Sequence, residues 1–448
     1  MIATRKKVLL ALWNKYLADN ISLNKQNDNQ KSLDRLHSLD RWLLLEFKKN
    51  KSFGKRDRAW YSDFLFSALR FSITALAVDF LLNSNKSDSK DLSEFLKSPN
   101  ENKIHFILEK LHLINPEVFW AVIENRMFQK NEIFLEFNPL EKLKFLENSE
   151  SIIGYSLYHG LGPEFLKHLN KRAEYSKWEL SQLRDYISKQ SKRAPLWLRA
   201  SLSEKITAIE EDLALIGEEI QTKESCALLL KERTRSGRAL LNTNSYEGGF
   251  FEIQDWASQQ ILNSLPLEEN YSYWDACAGG GGKTLQLFSL LEAKGIKNYR
   301  VCATDLRAHK LEDLNTRLKR LYKNKNVETY AFDLLKQKSE KKHDVVMVDA
   351  PCSSSGTLKR NPEIKWGCYD VISFQATQIK ILETVSKNIK AGGFLLYATC
   401  SVFVEENESV VDEFTKKYPQ FKLEKSEVFS LSRGDSDTTY SALLRFVQ

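Results

Sequence analysis

Apolar residues recur three or four positions apart through much of the first part of the chain. LDRLHSLDRWLLLEFKKN from Leu33 and RDRAWYSDFLFSALRFSITALAVDFLL from Arg56 both carry this spacing, which lays an apolar stripe along one helix face. Shorter amphipathic pieces follow. The polar cluster NSNKSDSKD at 83–91 interrupts the pattern. Pro116, Pro139 and Pro163 each suit a helix start, because proline is preset to a helical φ and the first turn does not need its missing amide. Residues 1–190 therefore read as a helical, bundle-like domain.

The period changes at Ala194. APLWLRAS predicts a short strand, a helix follows from about Glu204 to Gly217, and CALLL at Cys226 gives another short apolar segment. Residues 191–250 read as a small α/β linker module closing on LLNTNSYEGGF at Leu240. FEIQDWASQQIL from Phe251 opens the last domain, 251–448. From Tyr271 strand and helix alternate regularly. YWDAC, RVCATD, VETYAFD, DVVMVDA and GFLLYATC are the strands, with helices near 284–294, 308–322, 372–390 and 405–418, and ALLRFV at Ala442–Val447 can add an edge strand. This order predicts an α/β fold with a parallel, Rossmann-like sheet and right-handed crossovers.

Such a sheet binds ligands beyond the carboxyl ends of its strands. Asp275, Asp305, Asp333, Asp349 and the cysteines Cys352 and Cys400 all fall there. A carboxylate at that edge costs free energy unless something bonds it, so four acids in this position point to a ligand site rather than to helix capping throughout. The glycine run DACAGGGGKT does not fit a phosphate loop, whose first glycine would have to replace Cys277. Nor does it fit the dinucleotide fingerprint, whose third glycine would have to replace Thr284. Asp305 can accept hydrogen bonds from both hydroxyls of a ribose. A nucleoside without a pyrophosphate fits best, and S-adenosylmethionine, with a ribose and an amino-acid tail, is the expected cofactor. Lys283 stands near its tail carboxylate, and Asp333 is placed on the adenine side.

Composition narrows the class. Lys and Arg number 66 against 59 Asp and Glu, a net charge of +7 that permits nucleic-acid binding. No apolar run approaches the roughly 20 residues of a membrane span, and the short apolar stretch after Met1 lacks a cleavage site. A cytoplasmic protein is expected. The six cysteines form no C-x-x-C pair, and no histidine lies in the motifs. Neither a metal site, a disulfide framework nor a histidine-assisted hydrolase has a candidate.

The motifs DACAGGGGKT, ATDLRAHKLEDL, DAPCSSSGTLKRNPEIKW and YATCS, in this order, resemble the RNA cytosine-5 methyltransferases of the Sun/Fmu type. APLWLR and FEIQDWASQ resemble the segment preceding that family's catalytic domain, and the helical part resembles its NusB-like RNA-binding extension in texture. The resemblance implies that Cys400 attacks the base, that Cys352 assists release, and that Asp349 bonds the ring. It also implies a cofactor site of Asp275, Cys277, Ala278, Gly279, Gly280, Gly281, Gly282, Lys283, Asp305, Arg307, Asp333 and Asp349, and a monomer acting on ribosomal RNA. Transfer RNA and a catalytically silent RNA-binding assembly factor are the alternatives. Ser354 stands where the family has a usual glycine, Gly279-Gly280 depart from its common pairs, and SDTTYSALLRF lacks its common entry to the last strand. KKNKSFGKRDR from Lys48, SKRAPLWLR from Ser191, KERTRSGR from Lys231 and Lys359-Arg360 are expected to face RNA, with Trp197 and Trp366 available for stacking.

Overall fold

The computed structural model describes residues 2–25, 37–83, 89–97, 103–231, 237–322, 327–366 and 370–447. The chain divides into two compact units. One comprises residues 1–193 with 358–370, the other 194–357 with 371–448. The first boundary thus falls three residues beyond the expected one, and residues 194–250 are counted with the second unit.

The first unit is helical. Ile2–Lys25, Lys55–Asn83, Pro116–Phe128 and Pro163–Tyr175 are the longest helices among its described residues. Pro116 and Pro163 occupy the first turn of their helices, and Pro139 caps Leu140–Glu147. Lys55–Asn83 is, against the expectation from the sequence, long and apolar enough to cross a membrane by length and composition. Yet 78% of its most apolar window is buried inside the unit, where Phe64, Leu65, Leu69 and Leu76 join Trp13, Phe119 and Trp120. It is a core helix.

The segment 358–370 belongs to this helical core. Trp366 is 2% exposed, lies edge-on to Trp13 at 6.3 Å between centroids, and donates its indole N–H to Ser72 Oγ at 2.5 Å. Lys365 is buried too and donates to the His159 carbonyl at 3.2 Å. Burial, with Arg70 and Arg126 nearby, pushes its ammonium well down. Lys359 is likewise buried, and Arg70 donates to its carbonyl. Trp366 and Lys359 are therefore unavailable to RNA.

The second unit holds two sheets. In the smaller, β1 (Trp197–Ala200), β2 (Ile220–Glu224), β3 (Ala227–Leu230) and β4 (Phe251–Ile253) run in the antiparallel order β2-β3-β1-β4. The apolar side chains of Leu198, Leu228, Leu230 and Phe251 pack together, so FEI completes this sheet and does not open the next. Trp197 is fully buried and donates its indole N–H to the Asp435 carbonyl at 2.5 Å, which removes it from stacking as well.

The larger sheet contains β5 (Ser272–Asp275), β6 (Arg300–Asp305), β7 (Val327–Ala331), β8 (His343–Asp349), β9 (Ile389–Thr399), β10 (Phe421–Phe429) and β11 (Thr439–Phe446). Its order is β10-β11-β9-β8-β5-β6-β7. The five strands from β9 to β7 are parallel, and β11 and β10 are added antiparallel. The terminal strand is not the edge. β10 is, and its largely exposed FKLEKSEVF lacks the apolar alternation that would reveal a strand. Between β5 and β8 the chain order reverses, the place where such sheets open a ligand crevice.

Candidate active site

β5 delivers Asp275 to this reversal point. The turn after it is tied down on both sides, by Ala276 N–H to the Met347 carbonyl of β8 and by Ala278 N–H to the Thr304 carbonyl of β6, each at 2.9 Å. Gly281, at φ +85°, starts the helix Gly282–Ala293, and a Cβ there would lie 2.2 Å from Leu314 Cδ1. Only glycine fits. Gly279, at φ +52°, turns its amide onto Asp305 Oδ2 at 2.9 Å.

Asp275 is fully buried. Thr284 Oγ1 donates to its Oδ2 at 2.6 Å, while Oδ1 has no partner. Burial pushes its carboxyl up to about 7. Asp305 behaves oppositely. Burial works to raise it, but the Arg307 side chain and amide and the Gly279 amide outweigh burial and hold it low. Arg307 Nε and N–H lie 3.0 and 2.9 Å from Asp305 Oδ1. Cys277 sits among these acids, and burial together with Asp275, Asp349 and Asp305 pushes its thiol far up. It has no nucleophilic form near neutrality. Asp333 follows β7, where Phe332 N–H bonds the Asp305 carbonyl at 3.1 Å; its own Oδ1 accepts from Leu335 N–H at 3.0 Å.

Lys283, 8% exposed, reaches from the first turn of its helix to Asp349 Oδ2 at 3.5 Å and donates to Ser258 Oγ at 2.7 Å. It thus ties the helix after the glycine turn to the end of β8 and to the helix Trp256–Gln260.

β8 and β9 are paired, with Asp349 opposite Ala398, so the loops that leave them lie side by side. Cys352 Sγ and Cys400 Sγ are 3.4 Å apart. Ser354 Oγ lies 3.5 Å from Cys400 Sγ. Hydrogen bonding from Cys352 lowers the Cys400 thiol; burial opposes this, Ser354 supports it, and Asp349 and Glu406 oppose it. The same contact and burial push the Cys352 thiol well up. The contact therefore favours the charged form at Cys400 and the neutral form at Cys352.

Glu406 ties both loops together. Its carboxylate, fully buried, accepts from Ser353 N–H at 2.7 Å, from Ser353 Oγ and Ser401 Oγ at 2.5 Å each, and from Gln378 Nε2 at 3.3 Å. Ser353 follows Cys352 and Ser401 follows Cys400. The adjacent Asn407 donates to the Ser401 carbonyl at 2.9 Å and accepts from Thr399 Oγ1 at 2.5 Å.

Of the expected residues, Gly279, Asp305 and Arg307 are bonded to one another at the end of β6, Lys283 pairs with Asp349 at the end of β8, and Asp275 bonds Thr284 at the end of β5. Ala278, Gly280 and Gly282 complete the turn. Ser258 and Glu406 were not foreseen. Glu406, in VFVEENE, looks like an ordinary acid at a helix start. Among the described residues no cluster of His, Cys, Asp or Glu could hold a metal ion. Cys368 and most of the basic segment from Lys231 lie outside the described residues.

Residues 262–445 match the family described as 16S rRNA methyltransferase RsmB/F. The chain is similar to the ribosomal RNA small subunit methyltransferase B of Pasteurella multocida, 30% identical over 293 residues, which cover 63% of this chain and 62% of that protein. It is also similar to the protein of that description from Serratia proteamaculans, 27% identical, covering 59% of each. These matches span less than two thirds of the relatives' length. Among solved structures the fold is similar to PH0851, with TM-score 0.64, 19% identity and coverage of 97% and 98%. It is also similar to NSun6 from Pyrococcus horikoshii with SFG, with TM-score 0.51, 18% identity and coverage of 62% and 97%.

Proposed function

We propose that this chain, whose residues 262–445 belong to the RsmB/F family of 16S rRNA methyltransferases, forms 5-methylcytosine in ribosomal RNA using S-adenosylmethionine. The observation that carries the reading is the thiol pair, Cys352 and Cys400 at 3.4 Å, at the strand ends that also carry Asp349 and the glycine turn. Carbon 5 of cytosine is too weak a nucleophile to accept a methyl group unaided, and a thiolate held next to a second, protonated thiol supplies what the base lacks.

The turn fits the cofactor. The unpartnered Oδ1 of buried Asp275, the close-lying backbone of Gly279 and Gly280, and the Asp305 carboxylate present acceptors and backbone where a nucleoside and an ammonium group need them. Asp275, Gly279, Gly280 and Asp305 would hold it, with Arg307 fixing Asp305. When bound, the cofactor supplies an electrophilic methyl group.

The chain's own groups do the rest. The Cys400 thiolate adds to carbon 6, forming the S–C6 bond and moving the C5=C6 electron pair onto carbon 5, while Asp349, braced by Lys283, bonds the ring nitrogen where charge develops. After carbon 5 has gained its methyl, Cys352, having first given its own proton to solvent, accepts the carbon-5 proton. The C5=C6 bond re-forms, the S–C6 bond breaks, and Cys400 leaves as thiolate. A base stacked in a helix cannot reach this crevice, so the target is single-stranded or flipped out. Exposed Lys48, Lys51, Lys55 and Arg56 of the helical unit suit phosphate contacts.

Bisulfite sequencing of total RNA from cells with and without the gene tests this, because conversion spares 5-methylcytosine. One cytosine of small-subunit ribosomal RNA losing protection is the expected result. Loss in transfer RNA would move the target, and no change would favour a silent binding factor.

A further inference from the structure

Ser354 occupies a conformation that a side chain resists. Its φ is +59°, in the left-handed region that strains a non-glycine residue. The surrounding loop leaves no slack. The Ser354 carbonyl accepts from Thr357 N–H and Oγ1 at 2.9 Å each, Gly356 N–H bonds the Cys400 carbonyl at 2.9 Å, and Thr438 N–H bonds the Gly356 carbonyl at 2.9 Å. A Cβ at Gly356 would lie 2.0 Å from the Thr438 carbonyl oxygen. Glycine at 354 would relieve the strain, yet serine stands there with its hydroxyl 3.5 Å from Cys400 Sγ.

We propose that Ser354 is a catalytic residue of this chain: its hydroxyl, which accepts from the Cys400 thiol at 3.5 Å, turns to donate to the thiolate once that proton has left and holds the sulfur ready to attack carbon 6. The inference rests on the reading of Cys400 as the attacking group. A thiolate at this position is otherwise poorly supported. Cys352 from its own loop is the other donor facing it, while the Asp349 and Glu406 carboxylates, from the end of β8 and the turn after β9, both oppose a negative sulfur. Burial and the two acids oppose a negative sulfur here, and hydroxyl and thiol donors take the part that a cation plays elsewhere. The backbone strain is the cost of aiming the hydroxyl.

The test uses the full-length protein and the variants Ser354→Ala, which keeps the strain and loses the hydroxyl, and Ser354→Gly, which loses both. Alkylation by iodoacetamide across pH, read on the Cys400 peptide by mass spectrometry without RNA, reports the thiolate. Both variants should shift the profile upward, so that below its midpoint Cys400 reacts about three- to tenfold more slowly. Methylation kcat should fall by a similar factor with the KM for RNA unchanged, and Ser354→Gly should melt at a higher temperature than Ser354→Ala. A wild-type alkylation profile in both variants overturns the proposal, as does a shift confined to one of them, which would make strain rather than the hydroxyl responsible. Were the wild-type protein to methylate no RNA, the functional reading would fall while the alkylation profiles still decided the role of Ser354.

Discussion

Ser353 gives its backbone amide to Glu406 at 2.7 Å, across 53 residues of sequence. The bond ties the loop carrying Cys352 to the turn that follows Cys400. Every neighbour of this carboxylate is a donor, so replacing it by an amide sets at least one donor against another without changing volume. Glu406→Gln should keep the fold and both KM values within about twofold while kcat falls roughly 10- to 100-fold, because a small displacement of the two sulfurs spoils a matched geometry. Steady-state kinetics beside a melting curve check this; unchanged kcat would reduce Glu406 to a structural role.

The two cysteines should fail in different ways. Cys400→Ala should abolish methyl transfer with RNA binding retained in a filter assay. Cys352→Ala should leave the enzyme joined to its RNA, seen as a denaturant-resistant band in a gel, because the proton at carbon 5 is then removed too slowly for the S–C6 bond to break. A Cys352→Ala protein that turns over without such a band would remove the release role.

Asp275 gives stability its own pH dependence. Its carboxyl is raised from 3.8 to about 7 in the folded chain, so the folded state binds that proton more tightly than the unfolded one. The contribution is complete below about pH 3.8 and is lost as pH climbs through about 7. Asp275→Asn keeps the acceptor for Thr284 and has no charge to bury. In the ligand-free protein its melting temperature should exceed that of wild type by about 5 °C at pH 8, with the gap closing in acid. Glu363 of the helical unit, raised to about 7 by burial, titrates in the same window, so the comparison of variant with wild type isolates Asp275.

Much of the catalytic sheet was legible because β5, β6 and β8 are largely buried, mostly apolar runs ending in acids, a pattern that survives without knowledge of partners. β10 was not, since an edge strand with six consecutive exposed residues carries no apolar period. Trp197 and Trp366 misled for a related reason. A tryptophan beside basic residues suits base stacking, but each indole N–H here finds a buried acceptor, Asp435 O and Ser72 Oγ, far away in sequence. Glu406 escaped because its four donors come from three separate segments. Ser354 was visible as a departure from a glycine position, though only its φ and its distance to Cys400 give the departure a meaning.

The inclusion of residues 358–370 in the helical unit bears on how the protein is made. Synthesis proceeds from the amino terminus, and domains ordinarily fold as they emerge. This one cannot finish. After residue 193 has left the ribosome, the site between Trp13 and Ser72 still waits for Trp366, and a missing buried tryptophan leaves a defect on the order of 3–5 kcal/mol. The helical unit matures only once most of the catalytic sheet has also been translated, so a fragment cut at residue 193 would be an unfinished core rather than a domain.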